Sequence, residues 1–425
     1  MNPDEIEIMP QGFVDARIRP PGSKSITNRA LVCAALANGR SRLDGVLNSE
    51  DTQVMVEAIR QLGMEVHWDR EGNRVELAGC GGSIPVRDKE LFVANSGTTM
   101  RFLTAMLAVC PGRFRLHGVA RMHQRPIQDL LDALNALGAD TRSENNTGCP
   151  PVIIREPRSS GGTATVRGDM SSQFLSGLLL AVPYSQRPVT LHVEGPLVSK
   201  PYVSMTLGVM RSFGVSVREH DLSRFQIDAP RVYNARRYTI EPDATAASYF
   251  WAAAAITGGR VTVRGLGPNA LQGDVHFCDC LEQMGCEVTR EAEQITVTGK
   301  PLRGISVDMN AMSDTAQTLS AVALFAAGPT TISGVAHNRH KETDRIADLA
   351  RELRKFGAYV EELPDGLRIE PRRLHGASVS TYRDHRMAMS LALVGLRVEG
   401  VVIQDPQCTQ KTYPDFFRDL ESLRG

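Results

Sequence analysis

Aromatic residues make up only 5% of this 425-residue chain, and it has no excess charge of either sign, since 48 Lys and Arg offset 48 Asp and Glu. A neutral chain carries no bulk field for nucleic acid or an anionic membrane, and few aromatics leave few stacking platforms for single strands. Any anion binding must therefore be local. No stretch of about 18 uninterrupted apolar residues offers a membrane span. The opening Met1-Asn2-Pro3-Asp4-Glu5 is acidic and lacks the basic region and apolar run of a secretory leader, so a soluble cytoplasmic protein is expected. The eight cysteines form no C-x-x-C pair and have no companion His at zinc spacing; reduced, mostly buried thiols and no metal are expected. Two look-alikes fail. Gly22-Ser-Lys24-Ser25 lacks the spacing of a P-loop, and Pro268 interrupts Gly265-Leu-Gly267, which otherwise imitates a dinucleotide fingerprint.

What is present is a repeat. A helical run ending in glycine and followed by an alternating strand recurs at Ala58 to Gly63, Leu134 to Gly138, Met210 to Gly214, Leu281 to Gly285 and Leu353 to Gly357, the glycines lying 71 to 76 residues apart. Glycine is the expected helix stop. A sixth run, Phe417 to Gly425, is cut short, and the strand-like stretch Ile6 to Ile18 is expected to complete it. Each unit has a second, more apolar helix, starting near Ser25, Thr98, Ser171, Ala244, Ser313 and Asp384. The unit reads β-α-β-α-β-β. Helices such as Ala246 to Ile256 are apolar nearly all round, which implies burial on several sides. With 42% apolar residues the chain can fill two or three cores, and six units divide most simply into two lobes of three. The expected lobes are residues 22–240, and residues 1–21 with 241–425. Joined by two crossings, they would make a hinged clamp.

Polar residues gather at the starts of the buried helices: Pro21-Gly-Ser-Lys24-Ser25-Ile-Thr-Asn28-Arg29, Asn95-Ser-Gly97-Thr-Thr-Met-Arg101, Ser171-Ser172-Gln173, Ser313-Asp314-Thr315 and Asp384-His385-Arg386. Ser and Thr there are ordinary N-caps, yet a helix start also offers unpaired N–H groups and a positive dipole end to phosphate or carboxylate. Recurrence in equivalent places, with Lys or Arg close by, favours anion binding. The loops before the outer helices add Arg121, Arg125, Lys200, Lys341, Arg345 and Lys411. In a neutral chain this focusing points to a multiply anionic small molecule. Asp314, Glu342 and Asp384 stand among these cations as candidates for proton transfer.

These motifs, in order and over nearly the whole chain, together with Lys341-Glu-Thr-Asp-Arg345, closely resemble those of the 5-enolpyruvylshikimate-3-phosphate synthase family of enolpyruvyl transferases. The resemblance implies an α/β fold of two lobes, each of three β-α-β-α-β-β units. It implies transfer of the enolpyruvyl group of phosphoenolpyruvate to the 5-hydroxyl of shikimate 3-phosphate, by addition and elimination in a cleft between closing lobes. This is a step toward chorismate and the aromatic amino acids. It further implies no metal or organic cofactor, no nucleic-acid or membrane partner, and a monomer. Lys24, Ser25 and Arg29 would contact the shikimate ring and its carboxylate, Asp314 and Lys341 its hydroxyls, and Ser171, Ser172, Ser199 and Tyr202 the 3-phosphate, with Gln173 beside them. Phosphoenolpyruvate would meet Lys24, Gly97, Arg125, Gln173, Arg345, Arg386 and Lys411. Glu342 is the candidate for methylene proton transfer and Asp314 for deprotonating the 5-hydroxyl, with Lys24 at the same centre. His385 would support Asp384 and Arg386. Glyphosate would compete for the phosphoenolpyruvate position.

The chain departs from the family pattern in places. His337 stands where many members have Asn, with Asn338 one position late, and Ser96 and Phe102 replace the usual Ala and Pro around Gly97. A sister transferase acting on UDP-N-acetylglucosamine normally carries Cys or Asp in the loop that is Val119 to Pro126 here, which has neither. A non-catalytic scaffold would have lost the Lys, Glu and Arg set.

Overall fold

A computed structural model describes residues 4–155 and 160–423. Twelve α-helices lie among these: α1 (Lys24–Leu36), α2 (Glu50–Gln61), α3 (Gly97–Ala108), α4 (Gln128–Ala136), α5 (Ser172–Ala181), α6 (Lys200–Ser212), α7 (Ala244–Thr257), α8 (Phe277–Gln283), α9 (Ala316–Ala323), α10 (Ala347–Lys355), α11 (His385–Ala392) and α12 (Phe416–Glu421). The odd-numbered helices are the apolar ones. All twelve residues of α3 are buried, as is α7 from Ala244 to Ile256, because neither presents a polar face. The even-numbered helices bury one stripe; in α10 that stripe is Leu349, Ala350, Glu352 and Leu353. Gly63, Gly138, Gly214, Gly285 and Gly357 all stop their helices in the left-handed region (φ from 88° to 112°), where a Cβ would be strained.

Six small sheets accompany these helices. In the second repeat, Asp88–Phe92 runs parallel to Arg113–His117, Val152–Arg155 pairs antiparallel with the latter, and Asp140–Ser143 pairs antiparallel on the outside. The order of strands is thus first, second, fourth, third, and the architecture is the expected α/β repeat.

The chain divides into two compact units, Gly22–Ile240, and Met1–Pro21 with Glu241–Gly425, each holding three of the sheets. Two strands are exchanged at the passages. Asp15–Ile18, just before α1 in sequence, runs parallel to Arg260–Arg264 in the fourth repeat, and Arg237–Thr239, just before α7, runs parallel to Arg42–Asp44 in the first. The stretch from Ile6 to Ile18 is accordingly two strands rather than one. Pro10 and Gly12 separate Glu5–Ile8 from Asp15–Ile18, since proline gives no ladder donor. Glu5–Ile8 pairs antiparallel with Val401–Gln404 and supplies the fourth-position strand that the sixth repeat lacks.

Candidate active site

The starts of the buried helices are capped by their own side chains. Ser23 accepts from the Ile26 N–H, Ser96 from Thr99, Ser171 from Gln173, Asp243 from Ala246 and Asp384 from Arg386. Capping uses a lone pair of a serine hydroxyl and leaves its proton to donate, so the cap and anion readings are compatible. The fifth repeat differs. Met312 leaves helical geometry (φ −134°, ψ 43°), so α9 starts at Ala316 rather than near Ser313, and Ser313 and Asp314 sit in the 3-10 turn Asn310–Thr315 ahead of it.

In the unit containing Glu241–Gly425, Arg345 is the hub. Its guanidinium, 3% exposed, meets Asp384 through Nε and Nη2 (2.7 and 3.1 Å), Glu342 through Nη2 (2.8 Å) and Asp314 through Nη1 (3.3 Å). Lys341 donates to Asp314 (3.0 Å), Arg386 to the other Asp314 oxygen (2.8 Å) and Lys411 to Glu342 (2.8 Å). Four cations and three carboxylates thus form one network, with Asp384 fully buried. Burial opposes the Arg345 charge, but Asp384, Glu342 and Asp314 outweigh it and hold the group more firmly protonated than usual. The local folding follows from packing: α11 lies against α9 and the 3-10 turn Pro406–Lys411, so the starts of two buried helices converge with the loop bearing Lys411. His337 and Asn338 both turn to Ser313. The His337 Nε2 lies 2.9 Å from the Ser313 hydroxyl, and the Asn338 amide donates to the Ser313 carbonyl (2.9 Å). Burial, with Lys341 adding to it, pushes the His337 pKa down to about 3, so the ring is neutral. His385 Nδ1 lies 3.6 Å from Asp384. Behind the network, Asp274 accepts from Thr245 (3.1 Å), and burial, reinforced by Asp314 and Asp243, pushes its pKa up to about 7.

In Gly22–Ile240, α1, α3, α5 and α6 pack on one another. Lys24 lies 3.5 Å from Asp51. Arg125 is 4% exposed and donates to the carbonyl and side-chain oxygens of Asn95 (3.0 and 3.3 Å). Arg101 donates to the Pro126 carbonyl (2.8 Å), tying the start of α3 to the loop that bears Arg125. Gly97 is required by proximity: a Cβ there would lie 2.6 Å from Arg125 Nη2 and 3.1 Å from Arg101 Nη1. Ser171, Ser172 and Gln173 open α5, and Ser199, in the left-handed region (φ 52°), precedes α6, with Tyr202 donating its N–H to the Ser199 carbonyl (3.0 Å).

Arg29 is held from several sides. It is 1% exposed, and its donors go to Thr206 (2.7 Å), the Ser25 carbonyl (2.9 Å), Ser176 (3.2 Å) and the Tyr202 carbonyl (3.2 Å), with the Phe102 ring 5.2 Å away. Burial lowers its pKa to about 10, which leaves it charged at neutral pH. In this arrangement it cross-links α1, α5 and α6, positioning Ser25 and Tyr202.

Residues 8–420 match the family model of EPSP synthase (3-phosphoshikimate 1-carboxyvinyltransferase). The chain belongs to the EPSP synthase family. It is 48% identical to the 3-phosphoshikimate 1-carboxyvinyltransferase of Nostoc punctiforme over 405 residues, 95% of each chain. Identity to the enzyme of that name from Shewanella baltica is 44% over 424 residues, 99% of this chain and 100% of the relative. The solved EPSP synthase structure from Acinetobacter baumannii is similar at a TM-score of 0.83 with 26% identity, covering 99% of this chain and 98% of that one.

In Gly22–Ile240 three residues beside the EPSP synthase motif positions were not among the expected site residues. Asp51, one residue into α2, reads in sequence as an ordinary helix-start acid, and its proximity to Lys24 arises only in the fold. Asn95 and Arg101 belong to a recognised motif, but their task, holding Arg125 and its loop, arises only from contacts across the fold.

Proposed function

We propose that this chain transfers the enolpyruvyl group of phosphoenolpyruvate to the 5-hydroxyl of shikimate 3-phosphate and releases phosphate. The observation that carries this reading is the Arg345 network, in which four cations are held in place by carboxylates that an anionic substrate can replace. Membership of the EPSP synthase family and the named relatives support it. The phosphoenolpyruvate set is Lys24, Gly97, Arg125 and Gln173 in one unit and Arg345, Arg386 and Lys411 in the other. Ser171, Ser172, Gln173, Ser199 and Tyr202 take the 3-phosphate, and Lys24, Ser25, Asp314 and Lys341 take the ring, with Arg29 taking the ring carboxylate as well.

In the addition step a proton is delivered to the methylene carbon of phosphoenolpyruvate, the 5-hydroxyl oxygen bonds to C2, and the hydroxyl proton leaves to a base. In the elimination step the methyl group gives a proton back and the bond from C2 to the phosphate oxygen breaks. Glu342 carries the methylene proton and Asp314 the hydroxyl proton, the roles the family resemblance assigns them, with Lys24 taking part in the same chemistry. An anion taking Arg345 and Lys411 draws these two cations from Glu342, and a carboxylate that loses cationic neighbours holds a proton more readily. The enzyme acts as a monomer in the cytoplasm, and glyphosate competes with phosphoenolpyruvate.

The test is phosphate release from phosphoenolpyruvate by the purified chain without added metal, comparing shikimate 3-phosphate, UDP-N-acetylglucosamine and no acceptor. Release only with shikimate 3-phosphate supports the reading. Release with neither acceptor from folded protein overturns it.

A further inference from the structure

Five of the six sheets cover their fourth-position strand with an antiparallel outer strand: Val66–Asp69, Asp140–Ser143, Arg218–His220, Glu287–Glu291 and Tyr359–Leu363. The sixth does not. There the fourth position is held by Glu5–Ile8, and no described strand lies beyond it. The Asp405 N–H donates to the Asp4 carbonyl (2.8 Å), which sets the phase of the ladder. Antiparallel pairing then directs the backbone N–H and C=O groups of Glu5 and Glu7 away from Val401–Gln404. Beside this edge runs a groove of about 500 Å³ lined by apolar side chains, Ile6, Met9, Val402, Phe417 and Leu420 among them, and by the acidic Glu5, Glu7 and Glu421.

The groove lies between the edge strand and α12. In other repeats the even-numbered helix packs on the third-position strand, as α4 does on Asp140–Ser143 and α10 on Tyr359–Leu363. The groove therefore occupies the place of the strand that the sixth repeat lacks. Gln11 closes one side by donating to the Leu420 carbonyl (3.2 Å), and its Oε1 is buried without a partner among the described residues.

We propose that this edge accepts an extended basic segment of another protein, which adds antiparallel to Glu5–Ile8 as the absent outer strand. Alternate apolar side chains would enter the groove on the side of Ile6 and Ile8, and the intervening Lys or Arg would face Glu5, Glu7 and Glu421. A second copy of this chain fits poorly. Its own Glu5–Ile8 would bring glutamates opposite glutamates, and like charges directly across a ladder destabilise it.

The probe is a fluorescent nonapeptide of alternating valine and lysine, titrated into the full chain and followed by anisotropy and by amide hydrogen exchange. Saturable binding is expected, with exchange at the Glu5 and Glu7 amides slowed about tenfold or more, and no binding of the same peptide with glutamate for lysine. Glu7→Pro removes an outward N–H without touching the ladder to Val401–Gln404 and should weaken binding about tenfold. If that variant does not fold, the exposed pair Glu5→Lys/Glu7→Lys replaces it, and must lose the basic peptide and gain the acidic one. Absence of saturation by about 1 mM overturns the proposal. So does unchanged affinity in the folded variants, or slow exchange at Glu5 and Glu7 in the protein alone, which would mean that the edge is already covered.

Discussion

Gly97→Ala separates binding from stability because of what its added methyl meets. The new Cβ would lie 2.6 Å from Arg125 Nη2, where ordinary contact begins near 3.4 Å. The guanidinium must withdraw by about 1 Å, and it is the far end of a side chain anchored to Asn95 at 3.0 and 3.3 Å, so those bonds strain first. A 1 Å misplacement of a group that positions substrate costs up to about 100-fold, so KM for phosphoenolpyruvate should rise about 10- to 100-fold. The backbone of Gly97 is not in the left-handed region, and alanine is the better residue in a helix by up to about 1 kcal/mol, which offsets the repulsion. The melting temperature should move by no more than a few degrees. Steady-state kinetics with varied phosphoenolpyruvate, alongside calorimetry, reads both quantities. If the effect acts through Arg125, adding Gly97→Ala to Arg125→Ala should change KM little further. A KM unchanged in folded Gly97→Ala, or fully additive effects in the double variant, would refute the reasoning.

Glu342→Gln keeps the size of the side chain and removes its proton carrier, so kcat should fall about 10²- to 10⁴-fold while affinity for shikimate 3-phosphate changes little; equal loss of both would count against proton transfer. Arg345→Met leaves Asp384, 0% exposed, without its bidentate partner and should cost about 3–5 kcal/mol in denaturant unfolding, much of it recovered in Arg345→Met/Asp384→Asn, which removes the charge and keeps the cap to the Arg386 N–H. Asp274, whose pKa burial raises to about 7, keeps its proton in the fold while the unfolded chain loses it near pH 4. Its contribution therefore turns unfavourable as pH rises from about 4 to 7, by up to about 4 kcal/mol, and is constant above that window. Asp274→Asn, which can still accept from Thr245, should lose this slope; stability curves for the two proteins that stay parallel across the window would refute it.

The helix stops were legible in the sequence because one physical requirement, a left-handed backbone, selects one residue, and all five glycines obey it. The helix starts were only half legible. Ser, Thr and Asp serve both as caps and as anion donors, so Ser171 and Ser96 look alike whichever task they perform, and the structure shows both capping. Arg29 marks where legibility ends. Its motif is local, but its partners Ser176 and Thr206 lie 147 and 177 residues away, and no local pattern shows that they bury it. The strand exchange between the first and fourth repeats was hidden for a related reason: each exchanged strand precedes the expected helix in sequence, and only long-range pairing reveals whose sheet it joins.

The Arg345 network shows how a chain without net charge keeps a cluster of cations buried. Burying Arg345, Arg386 and Lys411 without partners would be prohibitive, since an isolated charge loses its hydration with nothing in return. Asp384 is fully buried and grips Arg345 at two points, which fixes the orientation of the fork. Glu342 and Asp314 are the more accessible partners, with side chains 8% and 15% exposed, and each is shared between two or more cations. These two are therefore the acids that, on the proposed function, an incoming anion would displace, while Asp384 stays. The division gives orientation to the buried acid and leaves the outer pair the more accessible, so that, on the proposed function, substrate binding and release of Glu342 and Asp314 would be one event rather than two.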